Sequence, residues 1–136
     1  MSLSPNDLHG AWTLDEWFVE DSEGGRTAPF GRDAKGVIMY TEDGNMTAIV
    51  RTAERFLPAG SATETQKAEA YSTYFNYAGT WRIDGDSVIH KIEHALDPNL
   101  VGAEMARLVE RKGDRMVFSG TMADGKTKNV IIWKRR

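Results

Sequence analysis

The sequence contains no cysteine among its 136 residues. That excludes disulfides, thiolate metal sites and cysteine nucleophiles together, and it favours a reducing, cytoplasmic setting. No apolar run approaches the roughly 20 residues that cross a bilayer as a helix, so no membrane partner is expected. The opening residues, Met1-Ser2-Leu3-Ser4-Pro5-Asn6-Asp7, lack the basic and apolar stretches of an export signal. Concentrated positive charge is missing too: 17 Lys and Arg stand against 20 Asp and Glu, and only Lys134-Arg135-Arg136 cluster. Nucleic-acid binding requires a basic footprint, so no nucleic-acid partner is expected. There is no G-x-S-x-G elbow, P-loop or dinucleotide fingerprint in a strand–turn–helix setting, and no cofactor is expected.

What is present describes one globular domain over residues 1–136, with 40 % hydrophobic and 27 % charged residues. A chain of this length buries about two thirds of its extended surface on folding, enough for one core. Turn signals recur at short intervals: Gly24-Gly25, Asp43-Gly44-Asn45, Asp84-Gly85-Asp86, Lys112-Gly113-Asp114 and Asp124-Gly125. The segments between them are rich in β-branched and aromatic residues, which marks hairpins. The pattern predicts strands near 10–20, 35–41, 45–52, 78–83, 87–96, 103–111, 115–120 and 127–135, hence an all-β antiparallel barrel or sandwich. Ser61-Ala62-Thr63-Glu64 reads as a capping box. Ala68, Tyr71, Tyr74 and Phe75 follow at helical spacing, predicting a helix over about 63–76 with one apolar face on or over the barrel.

Gly10-Ala11-Trp12 opens the first strand in the Gly-x-Trp manner of lipocalins, and Trp133-Lys134-Arg135 closes the last. Further matching pieces are Pro29-Phe30-Gly31, Gly36-Val37-Ile38-Met39-Tyr40, Asp43-Gly44-Asn45-Met46-Thr47-Ala48 and Tyr77-Ala78-Gly79-Thr80-Trp81. Val88-Ile89-His90, Asp97-Pro98-Asn99, Gly102 and Arg107 complete them. With these the chain resembles the bacterial and fungal lipocalin-like domains, a branch of the calycin barrels. The resemblance implies an eight-stranded up-and-down barrel able to hold one small, mostly apolar ligand, and no particular reaction. Without cysteines the chain departs from typical secreted lipocalins, so an intracellular binding or biosynthetic role fits better than an extracellular carrier.

Alternation across strands assigns an inner face. If Trp12 points inward, Leu14, Glu16 and Phe18 share its side unless a bulge intervenes. The same register turns Ile38, Tyr40, Val88, His90, Ile92, His94, Met105, Arg107, Phe118 and Trp133 inward. The expected ligand-binding residues are Glu16, Tyr40, His90, Ile92, His94, Arg107 and Phe118. A buried charge is costly unless paired, so Arg107 needs Glu16, a tyrosine or a ligand carboxylate.

His90-Lys91-Ile92-Glu93-His94 spells H-x-x-E-H, a zinc-peptidase pattern when helical. Its flanks favour a strand, where residues four apart lie about 13 Å from each other, too far to share an ion bound at about 2 Å per ligand. No metal site is expected. Two functions use a cavity, and a filled barrel acting only through its surface is the third reading. Of the first two, one is binding of a small hydrophobic or amphipathic molecule in the barrel. The alternative is a cofactor-free isomerase, cyclase or dehydratase, with His90 as acid–base and Arg107 as electrostatic stabiliser. Trp17 and Trp81 are read as surface seams or as a flat aromatic patch suited to a homodimer.

Overall fold

The structure is a computed structural model that describes residues 3–136. A one-turn helix α1 (Pro5–Leu8) leads into β1 (Gly10–Glu20), a two-residue β2 (Arg26–Thr27), β3 (Lys35–Tyr40) and β4 (Asn45–Arg51). Helix α2 (Glu64–Ser72) follows, then β5 (Tyr74–Asp84) and β6 (Ser87–Ala95). A 3-10 turn (Pro98–Leu100), β7 (Glu104–Lys112), β8 (Arg115–Thr121) and β9 (Lys128–Arg135) complete the chain. The strands pair in the order β2-β1-β3-β4-β5-β6-β7-β8-β9, and β1 also pairs with β9. Eight antiparallel strands therefore close on themselves, with β2 appended to the far end of β1. Closure leaves the barrel no free edge.

The tight turns fall at one end. Gly85 and Gly113 take φ of 62° and 65° in the β5–β6 and β7–β8 hairpins, a region a Cβ would strain. The same end is plugged by Leu8, fully buried, whose carbonyl accepts the Trp12 indole N–H at 3.0 Å. Arg135 lies 3.9 Å over the Trp12 ring and donates to the carbonyls of His9 and Asp7. Burying Leu8 alone contributes about 1.5–3 kcal/mol. The four longer connections, over 21–34, 52–73, 96–103 and 122–127, all lie at the opposite, open end.

Two bulges set which side chains face inward. On β1 the pairing with β9 shifts between Leu14 and Glu16. On β6 the pairing with β5 shifts between His94, opposite Ala78, and Ile92, opposite Gly79. A Cβ on Gly79 would lie 1.8 Å from the Lys91 carbonyl oxygen, so the strands approach there only because the side chain is absent. An extra residue reverses the alternation beyond it. Glu16 and His94, expected inside, are therefore exposed. Phe18 is buried outside the central core, beneath the Arg26 guanidinium at 4.1 Å from its ring.

Helix α2 is shorter than its sequence spacing implies and buries no side chain. Thr63, not Ser61, caps it: its hydroxyl accepts the Gln66 N–H, and the Gln66 side chain accepts the Thr63 N–H. Ala68 and Tyr71 are exposed, while Tyr74 and Phe75 already belong to β5, paired with Arg51 and Val50. Cross-strand pairing outweighs the helical spacing.

Candidate functional site

The barrel encloses a cavity of about 150 Å³ between its core and its open end. Ile38, Val50, Phe75, Met105, Phe118 and Ile131 supply its apolar wall; Tyr77, His90, Arg107, Asn129 and Trp133 also line it. A cleft of about 450 Å³, walled by β1 and the 122–127 connection, shares Trp17, Met105, Arg107 and Asn129 with the cavity. Arg107 thus stands where inner space and mouth meet.

His90 is 1 % exposed and held between two tyrosines. Its Nε2 lies 2.6 Å from the Tyr40 hydroxyl and its Nδ1 2.7 Å from the Tyr77 hydroxyl. β3, β5 and β6 carry one member each. Burial, reinforced by the Arg107 charge, lowers the His90 pKa from 6.5 to about 3, so the ring is neutral at physiological pH. Burial raises Tyr77 to about 12 and Tyr40 well above its ordinary range, opposed in both by Arg107.

A neutral imidazole donates from one nitrogen and accepts at the other. Were Nε2–H the donor, the Tyr40 hydroxyl hydrogen would be buried with no acceptor among the described residues, a cost of about 1–3 kcal/mol. Either tautomer leaves one tyrosine hydroxyl hydrogen without a protein acceptor; the less costly one has Tyr40 donating to Nε2 and Nδ1–H donating to the Tyr77 oxygen, because it puts that hydrogen on the residue beside the cavity. The Tyr77 hydroxyl hydrogen is then free, and Tyr77 lines the cavity where Tyr40 does not.

Arg107 is half-buried and donates to the Ala106 carbonyl at 3.0 Å. No carboxylate among the described residues pairs with it. A Cβ on Gly120 of the neighbouring strand would sit 3.1 Å from Arg107 Nη1, so that glycine leaves the lane in which the guanidinium lies. The indole Nε1 of Trp133, a residue 2 % exposed, has no hydrogen-bond partner among the described residues. Asn129 accepts the Trp17 indole N–H on Oδ1 at 2.6 Å, leaving its amide N–H groups free of that bond.

Of the residues singled out from sequence, Tyr40 and His90 are bonded to each other, and His90, Arg107 and Phe118 line the cavity. Ile92 is buried in the core outside the cavity wall, and Glu16 and His94 face away. Tyr77 falls between the predicted helix over about 63–76 and the predicted strand from about 78, and it belongs to β5; the strand preference of Tyr74, Phe75 and Tyr77 is the signal for that position. Trp133 was assigned to the inner face, but nothing in the sequence marks its unpaired N–H. Trp17 lines the cavity, and Trp81 packs edge-on against Tyr40 at 5.1 Å and donates to the Thr41 carbonyl, so the two do not form the flat outer patch expected of them.

A crystallised lipocalin-like protein from Bacteroides uniformis superposes with a TM-score of 0.52 at 15 % identity, over 96 % of this chain and 99 % of its own. A crystallised uncharacterised protein from Bacteroides eggerthii gives 0.51 at 13 % identity, over 94 % and 99 %. At such identities the likeness concerns fold alone. No curated protein matches the chain. Residues 9–136 match the lipocalin-like domain as a family, and the chain belongs to it.

Proposed function

We propose that this protein binds one small hydrophobic or amphipathic molecule inside its barrel, within the cytoplasm. The observation that carries the reading is the cavity. An eight-stranded barrel has an interior just wide enough for its own side chains to fill, yet here about 150 Å³ stays open behind a wider mouth. An apolar cavity of about this size is enough for a benzene-sized body. Larger ligands would extend past Arg107 into the mouth. The absence of cysteine supports the intracellular setting.

The enzymatic alternative, with His90 as acid–base, draws no support from its surroundings. Both ring nitrogens are bound to tyrosines, and the ring stays neutral down to a pH of about 3.

Trp17 and Trp133 both line the cavity and serve as reporters. Titration with toluene should change tryptophan fluorescence saturably, and Ala48→Phe, which fills the cavity from its wall, should abolish the change. No saturable response, or the same response in Ala48→Phe, would refute binding in the barrel. Native mass spectrometry of freshly purified protein would show any ligand already carried.

A further inference from the structure

We infer that the site takes a carboxylate, a monoanion with a compact apolar body, whose charged end pairs with Arg107. This deepens the binding reading above and rests on it.

The polar groups at the cavity are donors. Arg107 carries five N–H groups, one of which is spent on Ala106. With Nδ1–H donating to its oxygen, the Tyr77 hydroxyl keeps an unpaired hydrogen on a residue that lines the cavity, and the buried Trp133 indole N–H has no acceptor among the described residues. The side-chain acceptors that could answer them are engaged: His90 Nε2 by the Tyr40 hydroxyl, the Tyr77 oxygen by His90 Nδ1–H, and Asn129 Oδ1 by Trp17. Among the described residues no carboxylate lines the cavity. A site with donors and one unpaired cation is complete only with an acceptor-rich, negatively charged partner.

The count of charges narrows the class. Among the described residues Arg107 is the one cation of the cavity wall, which matches a single negative charge rather than the near-double charge of a phosphate monoester. A planar guanidinium engages a carboxylate through two parallel N–H bonds. Because β7 and the bare backbone of Gly120 already hold the guanidinium at the neck, little ordering remains to be done on binding. The apolar wall then accommodates the rest of the molecule.

The tyrosine relay gives Tyr77 a definite role. Tyr40 and His90 orient it as a donor, so it can contribute a hydrogen bond to an acceptor but no negative charge at neutral pH. Tyr40 and His90 are positioning residues; Arg107 and Tyr77 are the ligand contacts.

Benzoate, benzamide, benzylamine, phenyl phosphate and toluene probe this directly, read by tryptophan fluorescence and calorimetry on the intact protein. Benzoate should bind at least tenfold more tightly than benzamide and phenyl phosphate, and benzylamine more weakly than toluene. Arg107→Gln should erase the benzoate advantage while leaving toluene affinity within about twofold, which also reports that the variant is folded. Tyr77→Phe should weaken benzoate about threefold or more and spare toluene. If benzoate fails to exceed benzamide while toluene binds, or if phenyl phosphate exceeds benzoate, the carboxylate assignment is overturned and the binding reading stands. If neither toluene nor benzoate binds, both fall.

Discussion

Tyr40→Phe should cost more stability than Tyr77→Phe, although the two hydroxyls sit at nearly equal distances from one imidazole. Removing the Tyr40 hydroxyl leaves Nε2 as a buried acceptor without a donor, on the side of the ring turned to Tyr40, which does not line the cavity. Reversing the tautomer does not help, because Nε2–H would then face a phenyl ring. The penalty for such an orphan is about 1–3 kcal/mol. Removing the Tyr77 hydroxyl exposes Nδ1–H toward the cavity, where a water can accept it, so the cost falls to about 0.5–1.5 kcal/mol. For a chain of this size about 1 kcal/mol moves Tm by roughly 3–5 °C. Tyr40→Phe should therefore lower Tm by about 3–15 °C, and Tyr77→Phe by less. Urea unfolding with matched m-values would give the two free energies. The double variant should be non-additive, since both changes act on one ring. Equal losses, or a larger loss for Tyr77→Phe, would refute the tautomer assignment and the donor role of Tyr77 with it.

His90 also predicts a pH dependence. Its pKa is 6.5 when unfolded and about 3 when folded, so below 6.5 unfolding takes up a proton. Stability should fall as pH drops from 6.5 towards about 3, by up to about 1.4 kcal/mol per pH unit from this group, and be indifferent to it above 6.5. Denaturant unfolding of His90→Gln across that range should have a slope shallower by one proton; an unchanged slope would show that His90 is not the group responsible. Gly79→Ala should destabilise by more than about 2 kcal/mol, because its Cβ falls on the Lys91 carbonyl and the bulge must shift. A thermal melt within about 1 °C of the wild type would show that the bulge yields freely.

Much of the barrel was legible in the sequence. Glycine-bearing turns and the β-branched and aromatic runs between them are local signals, and they placed seven of the eight barrel strands within a residue of their observed bounds, while β5 starts at Tyr74, ahead of the predicted 78. Parity carried the inner face as far as the first bulge on each strand. Trp12, Ile38, Tyr40, Val88, His90 and Phe118 lie before any shift in register and face inward as expected. Glu16, Phe18 and His94 lie beyond one and do not.

The bulges were not legible because they answer to closure: eight strands meet only with a tilt and stagger shared by the whole sheet, and no local signal records where the extra residue goes. Helix α2 shows the same limit from the other side. Its cap is a local device and forms, but the apolar spacing through Tyr74 and Phe75 yields to pairing with β4, 23 positions away at Arg51↔Tyr74. The site is more dependent still on tertiary structure. The sequence by itself determined that His90 and Arg107 face a mostly apolar interior. Only the folded barrel decided that His90 is held by hydroxyls 50 and 13 residues distant, and that Glu16 turns away and leaves Arg107 without a carboxylate. Which polar groups find partners depends on distances across the barrel, and those exist only once it has closed.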